Sequence, residues 1–209
     1  MKIDKNHYLQ RKYASLERFI SYFYQIDFIR KAKAKKILFI GIGDGLVSDY
    51  LKKIPEMEVV TYDIDPALHP DVVGDVRCLS FKDNEFDLVV AFEVLEHIPF
   101  KEFTVALSDL ARISKEKVIL SLPFRQTSFE FIVRLPFIRT LFKRSFFRFL
   151  WTIPIRFPGF EVSGQHYWEI DSKQFSIKKV RSIIKKNFDI LFEQKALLNP
   201  YRYFFMLQK

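Results

Sequence analysis

The chain is poor in cysteine, glycine and acid, and each shortage narrows what it can be. Only one of its 209 residues is cysteine, Cys78, so no disulfide can form within the chain and neither a disulfide scaffold nor a cysteine zinc cluster is available. A reducing, cytoplasmic compartment is the expectation. No run of about eighteen uncharged apolar residues occurs, so no membrane-spanning helix is expected. The N-terminal stretch MKIDKNHYLQRKYAS has scattered charges and no apolar segment followed by small residues, and it does not read as a secretion signal. Twenty-five acids stand against 34 Lys and Arg, a formal net charge of +9. That excess attracts nucleic acid, anionic lipid or a phosphorylated substrate alike.

The length suits one α/β domain, residues 1–209, with room for an insertion. Leu9, Tyr13, Leu16, Phe19, Ile20 and Phe23 recur at three- and four-residue steps between Asn6 and Arg30. That spacing predicts an amphipathic helix leading into the basic connector KAKAKK, the two together occupying residues 1–35. Apolar runs predict strands near 36–40, 57–62, 71–74, 86–91 and 116–122, with helices near 45–53 and 99–113 between them. Pro123 ends the fifth strand. Further on, Ser172–Asn187 reads as a helix, and ILFEQKALL and YRYFFMLQK flank an Asn199-Pro200 turn as an antiparallel pair. The fold class is therefore a doubly wound, Rossmann-like sheet of seven mainly parallel strands that ends in an antiparallel hairpin.

Glycine is scarce, but three of the six fall within five residues, in ILFIGIGDG (Ile37–Gly45). Twenty residues after Gly43 an acid, Asp63, closes the run VVTYD. Strand, glycine turn, helix, strand and acid in this order form a cradle for a nucleotide-like cofactor. Glycine at 41 and 43 lets the backbone pass beneath the ligand, and Asp63 can accept hydrogen bonds from both ribose hydroxyls. A dinucleotide fingerprint would place a glycine where this chain has Leu46, which disfavours a nicotinamide oxidoreductase.

The next stretch, GDVRCLSFKDNEFDLVVAFEVLEHIP (Gly74–Pro99), resembles the class I S-adenosylmethionine-dependent methyltransferases, in the branch whose signature includes Val-Leu-Glu-His. The resemblance covers about Lys36–Pro123 and resumes over about His166–Lys209. It implies S-adenosylmethionine as cofactor, with Gly41, Gly43 and Gly45 in the glycine turn, Asp63 on the ribose and Ile64 on the adenine face. It also implies that Asp75 and the Val76 backbone read the adenine edge. The family usually has an acid two residues before the first glycine, where this chain has Phe39. The methionyl ammonium then falls to backbone carbonyls or to an acid such as Glu93, and a cofactor-binding module without catalysis stays open as an alternative.

Methyl transfer from a sulfonium needs an aligned acceptor, exclusion of water and, for a hydroxyl acceptor, a base. His97 and His166 are the candidate bases; a plain capping role for His97 is the alternative. Glu93, Glu96, His97 and His166 also resemble the metal-binding pattern of small-RNA 2′-O-methyltransferases and ubiquinone-pathway O-methyltransferases. Two carboxylates and two imidazoles would hold a divalent ion that lowers the acceptor's pKa. The expected function is O-methylation of a glycan, lipid-linked or small amphipathic acceptor, with RNA 2′-O-methylation as the alternative.

Between Arg125 and Pro158 seven residues are Arg or Lys, nine are Phe or Trp, and the lone acid is Glu130. Arg134, Arg139, Lys143 and Arg148 lie four or five apart, so on a helix they would form one basic stripe. The segment is too long for a simple loop and is expected to be a helical lid spanning 125–165. Packing against the body of the protein and contact with an anionic membrane, on its inner face, are both open. Phe mixed with Leu and Ile suits lipid or core better than base stacking, so nucleic acid is the less favoured partner.

Overall fold

In a computed structural model, the described residues are 14–134, 136–137, 139–140, 143, 145–153, 166–171 and 174–209. Residues 1–13, which hold the start of the expected N-terminal helix, and 154–165, at the end of the expected lid, lie outside them. Helix α1 (Leu16–Ala32) begins at Ser15, whose side chain accepts a hydrogen bond from the Arg18 N–H. Then follow β1 (Lys36–Ile40), α2 (Leu46–Lys52), β2 (Glu58–Asp63), β3 (Val72–Val73) and β4 (Phe86–Phe92). A short 3₁₀ turn (Leu95–His97) leads to α3 (Phe100–Ile113) and β5 (Ser114–Pro123). Two strands, β6 (Thr127–Val133) and β7 (Phe147–Ile153), precede α4 (Ile177–Ile184), β8 (Asp189–Ala196) and β9 (Asn199–Gln208).

Seven strands form one sheet in the order β3-β2-β1-β4-β5-β9-β8. The first five are parallel; β9 runs antiparallel to β5 and β8 antiparallel to β9. The order turns back on either side of β1 and β4, so the C-terminal ends of these two strands open a crevice there.

Side chains alternate across the sheet because strand residues point to opposite faces. Ile37, Phe39, Leu88, Val90, Phe92, Ile119 and Phe204 pack with Phe28 and Ile29 of α1 and Val47 and Leu51 of α2. Leu38, Ile40, Val89, Ala91, Val118, Leu120 and Phe205 pack on the other face with Phe103, Leu107 and Leu110 of α3 and Val180 and Ile184 of α4. Helices on both faces explain why the central strands read as continuous apolar runs. Each Val, Leu, Ile or Phe side chain buried this way contributes about 1.5–3 kcal/mol.

The expected helical lid is corrected. Residues 127–133 and 147–153 form a separate two-stranded antiparallel ribbon, β6 paired with β7. Both segments, TSFEFIV and FRFLWTI, are rich in aromatic and β-branched residues, and the ladder satisfies the backbone across the ribbon. Arg148 consequently sits within a strand and does not continue a helical stripe with Arg134, Arg139 and Lys143. No described helix is long and apolar enough to cross a membrane.

Candidate active site

β1 ends in a turn that only glycine fits. Gly41 has φ of +79°, and a Cβ there would lie 2.3 Å from Cγ2 of Val94. Beside it, Asp63 at the end of β2 accepts hydrogen bonds from two backbone amides, Ile42 N–H on Oδ2 and Asp65 N–H on Oδ1, both at 2.9 Å. The amides fix the carboxylate beneath the turn and leave lone pairs free for ribose hydroxyls. Gly41, Gly43, Asp63, Ile64, Asp75, Val76, Glu93, His97 and His166 all border one cleft of about 620 Å³. Gly45 does not border it; at φ of +80° it is the residue that starts α2.

Asp75 does more than the sequence suggests. Its carboxylate takes Nε and Nη2 of Arg77, at 2.9 and 2.5 Å, and Arg77 also reaches Glu102. Hydrogen bonds from Arg77 hold the Asp75 carboxyl below its ordinary pKa. An adenine amino group at this edge would therefore share Asp75 with Arg77. From α1, Arg18 borders the cleft, and Tyr22 donates to Oδ2 of Asp44 in the glycine turn at 2.7 Å.

Phe39 is a core residue, its ring 5.8 Å from that of Phe92. Glu93, at φ of +55°, accepts from the Ser121 hydroxyl at 2.8 Å and is ion-paired with Arg202 of β9. Glu93 lines the cleft with its charge compensated, and among the described residues the ligand atoms that converge within 4.8 Å of one another belong to Glu96, His97 and His166.

These three are brought together by the chain returning from the insertion. Tyr167 N–H donates to Glu96 O at 2.8 Å, Ile170 N–H donates to Pro123 O at 2.9 Å, and buried Trp168 donates from Nε1 to Ile98 O at 3.2 Å. His97 and His166 meet edge to face, with centroids 5.0 Å apart. Nδ1 of His166 lies 2.8 Å from Oε1 of Glu169, and Tyr201 donates to the same oxygen at 2.6 Å. Burial works to raise the Glu169 pKa, but hydrogen bonds from His166 and Tyr201 outweigh it and hold the group below its ordinary value. A charged Glu169 requires a proton on Nδ1, and in the neutral imidazole the lone pair then lies on Nε2.

Nε2 of His166 lies 3.9 Å from Oε1 of Glu96. Glu96 is fully buried, and neither of its carboxylate oxygens has a hydrogen-bond partner. Burial pushes its pKa up to about 8, with the charge of Glu169 adding to the shift, so it is mostly protonated at neutral pH. Glu169 and Tyr201 escaped the sequence reading, although Glu169 stands three residues after His166 in HYWEI. Nothing local to Tyr201 marks it.

Residues 38–122 match the methyltransferase domain family, a span that contains the glycine turn, Asp63, Asp75, Glu96 and His97. Over this span the chain carries a methyltransferase domain. Solved structures agree in fold. The methyltransferase is 11% identical to an S-adenosylmethionine-dependent methyltransferase from Clostridium acetobutylicum, with TM-score 0.60 over 97% of this chain and 96% of that one. It is 11% identical to the N-methyltransferase NodS of Bradyrhizobium japonicum, solved with S-adenosyl-L-homocysteine, with TM-score 0.58 over 94% and 89%. A small RNA methyltransferase aligns at TM-score 0.60 and 15% identity over 90% of this chain but 25% of its own length. No curated protein matches the methyltransferase by sequence.

Proposed function

We propose that this methyltransferase moves the methyl group of S-adenosylmethionine to a hydroxyl oxygen of a small amphipathic, lipid-linked or glycan acceptor. The observation that carries the reading is His166, held through Nδ1 by Glu169 with its ring at the cleft that Asp63 and Gly41 border, where Nε2 of a neutral imidazole can accept a proton. The sulfonium supplies an electrophile that is already activated. The protein's own contribution is alignment, exclusion of water and removal of the hydroxyl proton. Asp63 orients the ribose, the glycine turn admits the cofactor's backbone-facing edge, and His166 takes the proton while Glu169 stabilises the imidazolium that results. An amine acceptor would ask less of such a base. Conversion of labelled S-adenosylmethionine with separate lipid, glycan and RNA pools tests the acceptor class. His166→Asn should lower kcat by a factor of about 10²–10⁴ with little change in cofactor affinity. Undiminished turnover would refute His166 as the base.

A second reading is favoured by one feature, the buried Glu96 carboxylate without a hydrogen-bond partner. Glu96, His97 and His166 suit a divalent ion, with Glu169 fixing the ring of His166 from behind as an outer carboxylate does at many metal sites. When bound, such an ion would supply positive charge that lowers the acceptor's pKa. RNA 2′-O-methylation belongs to this reading. Activity that disappears with a chelator and returns with magnesium, manganese or zinc would support it, and full activity after exhaustive chelation would remove it. Either reading fits a cytoplasmic enzyme, where the lone exposed Cys78 needs no partner.

A further inference from the structure

The ribbon β6–β7 has two unlike faces. In an antiparallel pair, directly opposed residues share a face and so do residues two apart. Phe129 is opposite Trp151, Phe131 opposite Phe149 and Val133 opposite Phe147, so six large apolar side chains form one face. Trp151 is 59% exposed, Phe131 55%, Phe129 49% and Phe149 47%. The rings contact one another, Phe131 against Trp151 at 5.8 Å and Phe149 against Trp151 at 6.2 Å, and form a continuous patch.

The other face is occupied. Arg148 pairs with Glu130 at 2.6 Å and donates to Lys195 O and Ala196 O at 3.0 and 2.8 Å, while Leu198 N–H donates to Glu130 at 2.9 Å. These bonds clamp the ribbon to the β8–β9 turn and hold the aromatic face away from the body of the protein. Between the strands in sequence stand the exposed Arg134, Arg139 and Lys143, together with Phe137, which is 76% exposed. Glu130, the sole acid from Arg125 to Pro158, is consumed by Arg148 and Leu198. An exposed aromatic patch with cations at its rim and no free acid matches a surface that is apolar inside and anionic outside.

We propose that this face is where the enzyme lies on an anionic lipid bilayer, with the aromatic rings entering the headgroup and acyl boundary and Arg134, Arg139 and Lys143 meeting lipid phosphates. A second copy of the chain is a poorer occupant, because a two-fold interface would bring the two basic turns into like-charge opposition. The ribbon follows directly on β5, at the end of the sheet where the cleft opens, and Arg125 and Phe124 join the segment that carries His166 through Ile170. A lipid-linked or amphipathic acceptor would then approach the cleft from the bilayer. The surface itself is independent of the methyl-transfer reading.

Co-sedimentation of the whole chain with phosphatidylglycerol–phosphatidylcholine vesicles tests it, at low and high salt and with phosphatidylcholine alone as control. The wild type should bind the anionic vesicles and be released by salt. Trp151 emission should shift to the blue on binding, while Trp168, fully buried, stays silent; Trp151→Phe should abolish the shift. Replacing Phe129, Phe131, Phe149 and Trp151 with Ser, or Arg134, Arg139 and Lys143 with Gln, should weaken binding at least about tenfold. Calorimetric affinity for S-adenosyl-L-homocysteine should be unchanged in both variants, which shows that they fold and separates this result from the fate of the cofactor assignment. Absence of binding at low salt would overturn the proposal. So would a wild-type dimer that the serine variant converts to monomer, since the face would then be a self-interface.

Discussion

Asp63 is the residue on which the proposed cofactor site turns. It accepts from the Ile42 and Asp65 amides and borders the cleft, where we propose that it holds the ribose hydroxyls. Asp63→Ala should therefore weaken S-adenosyl-L-homocysteine by about 2–4 kcal/mol, tenfold or more in calorimetry. The cofactor-free protein should also lose about 1–3 kcal/mol in denaturant unfolding, because two amides lose their acceptor. Unchanged affinity would sink the assignment of the ribose site. Glu96 makes a prediction of opposite character. Its folded pKa is raised from 4.5 to about 8, so between those values the unfolded chain releases a proton that the folded chain keeps. Stability from this group falls as pH rises through that window and is level above it. In metal-free protein, Glu96→Gln should match the wild type near pH 5 and become the more stable of the two by several kcal/mol near pH 9. A Tm difference that does not vary with pH would show that the carboxyl is not held neutral. Gly41, Gly43 and Asp63 were legible in the sequence because spacing between two strands fixes them. The ion pair of Glu93 with Arg202 was not, because it depends on the pairing of β5 with β9, which lies across the whole second half of the chain.

At the level of elements, the strands of the sheet and the helices α2 and α3 fall within two residues of their expected positions, since long apolar runs and three-to-four spacing are strong signals. The insertion was misread. Four cations at four- and five-residue steps suggest a helix, yet Arg134 lies just past β6 and Arg148 lies within β7. The stronger clue was the alternation within TSFEFIV, where Phe129, Phe131 and Val133 fall two apart. What orients the ribbon is Arg148, whose guanidinium binds Glu130 and two carbonyls of the β8–β9 turn. Arg148→Met should free the ribbon while leaving the seven-stranded sheet intact. Hydrogen exchange would then rise over β6 and β7 by a factor of ten or more, with β1, β4 and β5 unaffected. Equal protection in mutant and wild type would mean that the ladder and apolar contacts alone hold the ribbon in place.

The molecule as a whole joins its functional groups through the two apolar layers on either side of the sheet. The cleft is bordered by the ends of β1, β2 and β4, by His166 from the segment returning after the ribbon and by Arg18 of α1, and α1 is tied to the glycine turn by Tyr22 and Asp44. No one of these segments makes a site alone, so ligand binding should report on the entire fold. S-adenosyl-L-homocysteine at about one hundred times its Kd should stabilise the protein by about 2.7 kcal/mol. For a chain of this size that corresponds to a rise in Tm of roughly 5–10 °C, in a single transition if α1, the sheet and the terminal hairpin unfold together. Tyr22→Phe, which removes only the hydroxyl bound to Asp44, should reduce the rise without abolishing it, because the glycine turn and Asp63 remain. A full-sized rise in Tyr22→Phe would place the N-terminal helix outside the binding unit, and a split transition would show that α1 or the hairpin unfolds independently of the sheet.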